Sequence, residues 1–186
     1  KAGATYIYMA IRRPHKPPEA GTDVFHANTT GSDTVFTTGF DVDLAITTSP
    51  LNGGLRYTGS RLTGNTTFMR ANDTTAETTS SGIWEFDHSN AFVQGAVGTG
   101  ITWAFARAPG FFDVATFTSN SSGATTVNHN LGVAPEILVV KKRDTTGEWE
   151  TYTAALGNTK YLRLDNSNAA GGPSTPHWNS TSPTAT

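Results

Sequence analysis

The chain repeats itself, and self-similarity at a fixed spacing decides architecture before any local pattern does. Phe25-His26-Ala27-Asn28-Thr29-Thr30-Gly31 lines up with Phe117-Thr118-Ser119-Asn120-Ser121-Ser122-Gly123 at an offset of 92 residues, and Thr34-Val35 continues onto Thr126-Val127. One extra residue in the second copy moves the offset to 93. Gly39–Ile46 then matches Gly132–Val139 in pattern, with only the glycine identical, and Gly64-Asn65-Thr66-Thr67-Phe68-Met69-Arg70 falls on Gly157-Asn158-Thr159-Lys160-Tyr161-Leu162-Arg163. A third echo, at an offset of 95, joins Tyr8-Met9-Ala10-Ile11-Arg12-Arg13-Pro14 to Trp103-Ala104-Phe105-Ala106-Arg107-Ala108-Pro109. Both are alternating runs led by an aromatic residue and closed by Arg-x-Pro. Proline lacks the amide donor that a ladder needs and stops such a strand.

The echoes divide the chain into residues 1–14, the closing strand of a preceding copy, 15–109, a complete copy, and 110–186, a second copy that stops early. The last copy has no counterpart of its own to the Thr102–Arg107 strand. The expectation is that the chain is a slice of a longer repeat protein. The competing expectation is that Tyr6–Arg12 fills the gap, within the chain or from a neighbour.

Composition sets the class of structure. Thr (32), Ser (13), Asn (12) and Gly (19) make up about 41% of the 186 residues, while Leu, Glu, Lys and Met are scarce. β-Branched Thr fits a half-solvated pleated surface, so the chain reads as all-β. The net charge of −2 does not support disorder. Strands are predicted at Asp23–Ala27, Thr34–Thr37, Asp43–Thr47, Gly54–Thr58, Thr67–Arg70, Ile83–Phe86, Ala91–Gly95 and Ile101–Arg107. The second copy is predicted to place them at Val114–Thr118, Thr125–Asn128, Glu136–Arg143, Glu148–Thr153 and Lys160–Leu164. Turn formers every 8 to 12 residues give the pattern of a β-sandwich. The apolar run Ile137–Val140 reads as a centre strand covered on both faces. Ala71–Thr79 and Asp165–Ala170 are the only stretches that read as short helical turns.

The absence of cysteine removes disulfides, thiolate nucleophiles and thiolate metal sites. No apolar run reaches half of a membrane span, and no basic stripe awaits phosphates, so neither membrane insertion nor a nucleic-acid partner is expected. Histidines 15, 26, 88, 129 and 177 lack the close spacing of a metal pair, and Asp87-His88 reads as a turn. Asp41/Asp43 and Glu148/Glu150 share a strand face at i and i+2, which more often solvates a strand than forms an acid–base pair. No nucleophile elbow, phosphate loop or dinucleotide fingerprint is present. Catalytic residues, cofactors and metals are therefore not expected. Trp103, Phe105, Tyr6 and Tyr8 alternate on the closing strands and read as inward core residues, as do Trp84 and Trp178. Trp149 and Tyr152 flank a charged hairpin and are expected to be half-buried. With Arg163 they are the candidates for ligand binding, because the apolar face of a sugar stacks on such rings.

Trp103–Val114, with its Arg-Ala-Pro-Gly-Phe-Phe-Asp string, and His129-Asn130-Leu131-Gly132-Val133-Ala134-Pro135-Glu136 leading into Ile137–Lys142 resemble a repeat of marine bacteriophage virion structural and tail-fibre proteins. Leu156–Leu162, the Trp178-Asn179 stretch ending near Pro183, and Tyr6–Pro14 are similar to the same repeat. The resemblance implies tandem antiparallel, lectin-like or jelly-roll β-sandwich repeats of about 93 residues. It further implies a homo-oligomeric virion appendage, with other virion proteins, copies of itself and host-cell surface polysaccharide as partners. It carries no catalytic residues. The first copy departs from it at Gly39–Ile46, which lacks the Pro and the basic tail of Pro135–Arg143. The alternative is a carbohydrate-binding module of an extracellular bacterial protein, and a depolymerase is the third reading.

Overall fold

The structure is a computed structural model that describes residues 17–29, 35–49, 53–94, 100–120, 123–173 and 175–186. The expected closing strand Tyr6–Arg12 and His15 lie outside them. Alternation and turn residues produce a chain of short strands: β1 (Phe25–Asn28), β2 (Val35–Thr37), β3 (Leu44–Ser49), β4 (Leu55–Ser60), β5 (Thr67–Arg70), β6 (Thr78–Thr79), β7 (Trp84–Glu85), β8 (Ala91–Gln94), β9 (Thr102–Phe105), β10 (Ile137–Lys141), β11 (Trp149–Thr153) and β12 (Leu162–Arg163). All their pairings are antiparallel. The protein is all-β. Helix among the described residues is confined to a 3-10 turn at Gly21–Asp23 and one turn of α-helix, α1 (Thr175–Trp178). The helical turns expected at 71–79 and 165–170 do not form. Asn72 and Asp165 instead accept backbone N–H groups of the neighbouring strand, from Arg56 and Trp149, and Thr78–Thr79 pairs with β5.

Six strands form one sheet in the order β1-β9-β3-β4-β5-β6, and β2-β8-β7 form a second. The two enclose one core, as in a β-sandwich. Trp84, Phe86 and Phe92 are at most 1% exposed and lie ring on ring, against Ala45, Tyr57, Phe68 and Ala104 of the larger sheet. Small residues on the larger sheet make room for those rings. Gly59 is the sharpest case, since a Cβ there would lie 2.5 Å from Trp84 Nε1. On β9 the inward residues are Thr102 and Ala104, both fully buried, whereas Trp103 is 44% exposed. The inward reading of Trp103 is thus corrected. Ala104 stands opposite Ala45, in a layer whose bulk is supplied by the facing aromatics.

The third sheet, β10-β11-β12, matches β3-β4-β5 residue by residue. Leu44 pairs with Ser60 and Ile137 with Thr153; Tyr57 pairs with Arg70 and Glu150 with Arg163. Each second pair stands 93 residues after the first. Hydrogen bonds recur at the same spacing. Arg61 N–H donates to the Asp43 carbonyl (2.9 Å), and Ala154 N–H to the Glu136 carbonyl (2.8 Å). Arg56 N–H donates to Asn72 Oδ1 (3.0 Å), and Trp149 N–H to Asp165 Oδ1 (2.8 Å). Gly64 and Gly157, with φ of 84° and 72°, close equivalent turns by donating to the carbonyls of Arg61 and Ala154. The indole N–H of Trp84 donates to the Thr67 carbonyl and that of Trp178 to the Lys160 carbonyl, the acceptors 93 residues apart and the donors one residue more.

The surroundings differ. β3 lies between β4 and β9, but among the described residues β10 is an edge, with Ile137 65% and Val139 42% exposed. This corrects the expectation of a covered centre strand. The strands expected at Val114–Thr118 and Thr125–Asn128 are absent for a related reason. Their counterparts β1 and β2 pair with β9 and β8, and among the described residues nothing equivalent stands beside them. Extended backbone without a ladder partner leaves its N–H and C=O groups to water.

The third sheet is clasped to the larger one by its β10–β11 connection. Glu77 N–H donates to the Arg143 carbonyl (2.7 Å) and Gly147 N–H to the Thr74 carbonyl (2.9 Å). The Arg143 guanidinium forks onto both oxygens of Glu77 at 2.8 and 2.9 Å, which raises its pKa.

Candidate functional site

Two of the three residues expected to bind a ligand are occupied by structure. Trp149 and Tyr152 are buried, 6% and 4% exposed, rather than half-buried. The Trp149 ring crosses the clasp: its indole N–H donates to the carbonyls of Arg70 (2.8 Å) and Asp73 (3.2 Å). Tyr152 meets the edge of Trp178, with ring centroids 5.8 Å apart. Flanking charge had pointed to the surface, but the charged residues Lys141 and Arg143 themselves turn onto residues 73–77. Burial lowers the Lys141 pKa, against the carboxylates of Asp73 and Asp165.

Arg163 is half-exposed and lies in a charged cluster on one side of the third sheet. Its Nη1 is 3.7 Å from Glu148 and its Nε 3.6 Å from Glu150. His177 Nε2 approaches Glu150 from the far side at 3.4 Å and stacks on Tyr161, with centroids 3.8 Å apart. Glu148 and Asp165 share a hydrogen bond, which lifts the Glu148 carboxyl above its usual range. At Asp165 burial pulls upward, and the bonds from Glu148 and the Trp149 N–H outweigh it, so its carboxyl falls below that range. Carboxyls in direct contact leave no room for the sugar bond that a glycosidase pair must flank at roughly 5 Å or more. The Arg163 guanidinium lies over the Tyr161 ring at 5.3 Å, and Arg70 lies over Phe68 at 5.9 Å at the positions 93 residues earlier. Arg163 thus repeats a packing contact of the first sheet.

A partly exposed aromatic surface lies elsewhere, on the outer face of β1, β9 and β3, with Trp103 its exposed member. Phe25 sits opposite Phe105 with rings 5.1 Å apart, and Phe105 stacks on Phe112 at 5.1 Å. Trp103 continues the strip, opposite Ala27 on one side and Ile46 on the other. Sequence reasoning missed it by giving the inward face of β9 to the large residues. The signal was present in Thr102, Ala104 and Ala106, which alternate with the aromatics as small side chains suited to a sheet facing bulky rings.

A groove of about 310 Å³ is lined by Pro17, Pro18, Pro109, Val24 and Phe111, with Glu19 its one ionisable side chain. Among the described residues no group of three or more His, Asp or Glu side chains is placed to hold a metal ion, and no helix is long and apolar enough to cross a membrane.

These features define an all-β protein of antiparallel sheets with a partly exposed aromatic strip. The chain belongs to the family described as Domain of unknown function (DUF7483), which matches residues 64–186, about two thirds of its length. The match starts at the turn before β5 and continues through the clasp and the third sheet. No curated protein and no solved structure matches the chain.

Proposed function

We propose that the chain is a structural, adhesive part of a bacteriophage virion appendage, a tail fibre or tail-associated protein, built of tandem lectin-like β-sandwich repeats of about 93 residues. The observation that carries the repeat part is the shared register of β3-β4-β5 and β10-β11-β12, with three kinds of hydrogen bond recurring at the same spacing. The virion part rests on the resemblance of Trp103–Val114 and His129–Lys142 to the phage repeat. On this reading the units span 15–109 and 110–186, and all of the buried core cluster falls between Val24 and Ala108. The appendage is a homo-oligomer on an extracellular particle, it contacts host-surface polysaccharide, and it carries out no catalysis. Antibodies raised against the chain should decorate the tails of phage particles that encode it, seen by negative-stain microscopy. Particles that carry the gene product nowhere on their surface would refute the assignment.

The Trp103 strip favours a second reading, a carbohydrate-binding module of an extracellular bacterial protein. An exposed indole beside an apolar sheet face suits the apolar face of a pyranose. Saturable glycan binding that is lost in Trp103→Ala, together with a parent gene encoding a hydrolase, would support the module over the virion protein.

A further inference from the structure

The edge of β10, open among the described residues, is a strand acceptor, and we infer that it is filled by Tyr6–Arg12 of a second copy of this chain, so that copies join head to tail. The inference rests on the repeat part of the reading above.

Ladder parity shows what the edge offers. Ala154 N–H donates to the Glu136 carbonyl, so Glu136, Leu138 and Val140 direct their backbone groups at β11. Ile137, Val139 and Lys141 must then direct theirs at the open side. In the first sheet the same side of β3 is filled by β9, with Leu44 opposite Phe105 and Ile46 opposite Trp103. The sequence that matches β9 is Tyr8–Pro14. Transferring the register places Ala10 opposite Ile137, Met9 opposite Leu138 and Tyr8 opposite Val139. Ile7, Met9 and Ile11 then join the face of Leu138 and Tyr152, and Tyr6 and Tyr8 cover the exposed Ile137 and Val139.

Charge supports this register. At the end of β9, Arg107 N–H donates to Asp43 Oδ2 (2.8 Å), and the Arg107 guanidinium lies 3.6 Å from Oδ1. The matching residues are Arg12 and Glu136. Glu136 is exposed at the start of β10, and its carboxylate has no partner among the described residues. A second sheet edge is satisfied as well. β9 is held between β3 and β1, and the counterpart of β1 is Phe117–Asn120, which lies outside any strand here, with Phe117 49% exposed. One donated strand would sit between β10 and that segment.

The chain order selects a second copy over the chain's own N-terminus. After β9 the backbone passes through Pro109-Gly110 directly into the next unit, where Gly110 N–H bonds the Leu131 carbonyl. A strand donated by a second copy leads through Pro14 into that copy's first unit, which repeats the same unit-to-unit step. Self-capture would require that step to close on itself after two units, a condition only a two-fold rotation meets.

The test uses the full 186-residue chain, which has one donor and one acceptor, in sedimentation velocity from micromolar to hundreds of micromolar. The expected result is a concentration-dependent series of assemblies above the monomer. Val139→Pro removes an edge-facing N–H without touching the β11 ladder and should return the chain to monomer. Near-ultraviolet circular dichroism of the buried Trp84 reports that the first sandwich is intact. Arg12→Glu and Glu136→Arg should each weaken association about ten-fold or more by placing like charges together, and a mixture of the two should restore it, because each donor then meets an opposite charge. A monomer at every concentration would overturn the inference, as would Val139→Pro associating like the parent chain, or a mixture no stronger than its components. Monomeric behaviour alongside labelled phage tails removes strand capture alone. Assembly without labelled tails removes the virion assignment alone.

Discussion

Replacing Trp149 by Phe tests whether this ring is an anchor or a binding platform. The indole is 6% exposed and donates to the carbonyls of Arg70 and Asp73. Phe keeps most of the apolar contact but has no donor. The Arg70 carbonyl retains a second donor in Asp73 N–H at 3.3 Å, so the Asp73 carbonyl is the acceptor left without a partner. Loss of the hydrogen bond contributes about 1 kcal/mol, and the orphaned acceptor about 1 more at the low end of its range. The smaller ring adds a residual cavity, which brings the total to about 2–3 kcal/mol. For a chain of this length that is a fall in Tm of about 5–10 °C. Urea denaturation followed by tryptophan fluorescence, with calorimetry for Tm, measures it. Arg143→Ala, in the same clasp but at a half-exposed ion pair, should lose less than about 1 kcal/mol. If Trp149→Phe stays within about 0.5 kcal/mol of the parent, or abolishes sugar binding with stability unchanged, the ring is not the anchor described here.

Gly59→Ala should destabilise the core between the two larger sheets by about 1–3 kcal/mol, since its Cβ would meet Trp84 Nε1 at 2.5 Å and Cε2 at 2.7 Å; denaturant midpoints check it. Gly171→Ala should disturb the last unit in the same way, because a Cβ there would overlap the Tyr161 ring, and two-dimensional NMR should show Tyr161 and His177 shifting together. Hydrogen bonds from the Thr75 hydroxyl and amide and the nearby Arg70 hold the Asp73 carboxyl below its usual range. The folded chain therefore releases that proton more readily than the unfolded one. The stabilisation is present at neutral pH and is lost as the pH falls below about 4, so Asp73→Asn should destabilise the protein at pH 7 and much less at pH 3.

The strands of the first unit were legible because they obey period two and are separated by Asn, Gly and Asp turns; β3, β4, β5 and β8 lie within two residues of their expected bounds. The constant spacing from Leu44 to Ile137 was legible too, and the paired registers reproduce it. What the sequence did not disclose was pairing. Val114–Thr118 has the alternation of a strand but no described neighbour to complete its ladder, and Ile137–Val140 is apolar on both faces yet lies at an edge. The half-buried placement expected of Trp149 and Tyr152 differs for the same reason. Trp149 sits among charges in sequence, but those charges fold onto residues 73–77 and carry the ring inside with them. Trp103 was given to the core because aromatic residues usually go there, while the bulk at that layer comes from Trp84, Phe86 and Phe92 of the opposite sheet.

The clasp between Thr74–Glu77 and Arg143–Gly147 has a mechanical consequence. Two backbone hydrogen bonds, a forked guanidinium and a buried indole join the third sheet to the larger one at several points, so the junction resists both bending and torsion in a way that a single tether would not. In an array of the proposed repeats built on this junction, the angle set between the two sheets would accumulate at every step. The overall pitch and stiffness of the array would then be encoded in a few residues of one loop, leaving the outer aromatic face free to vary.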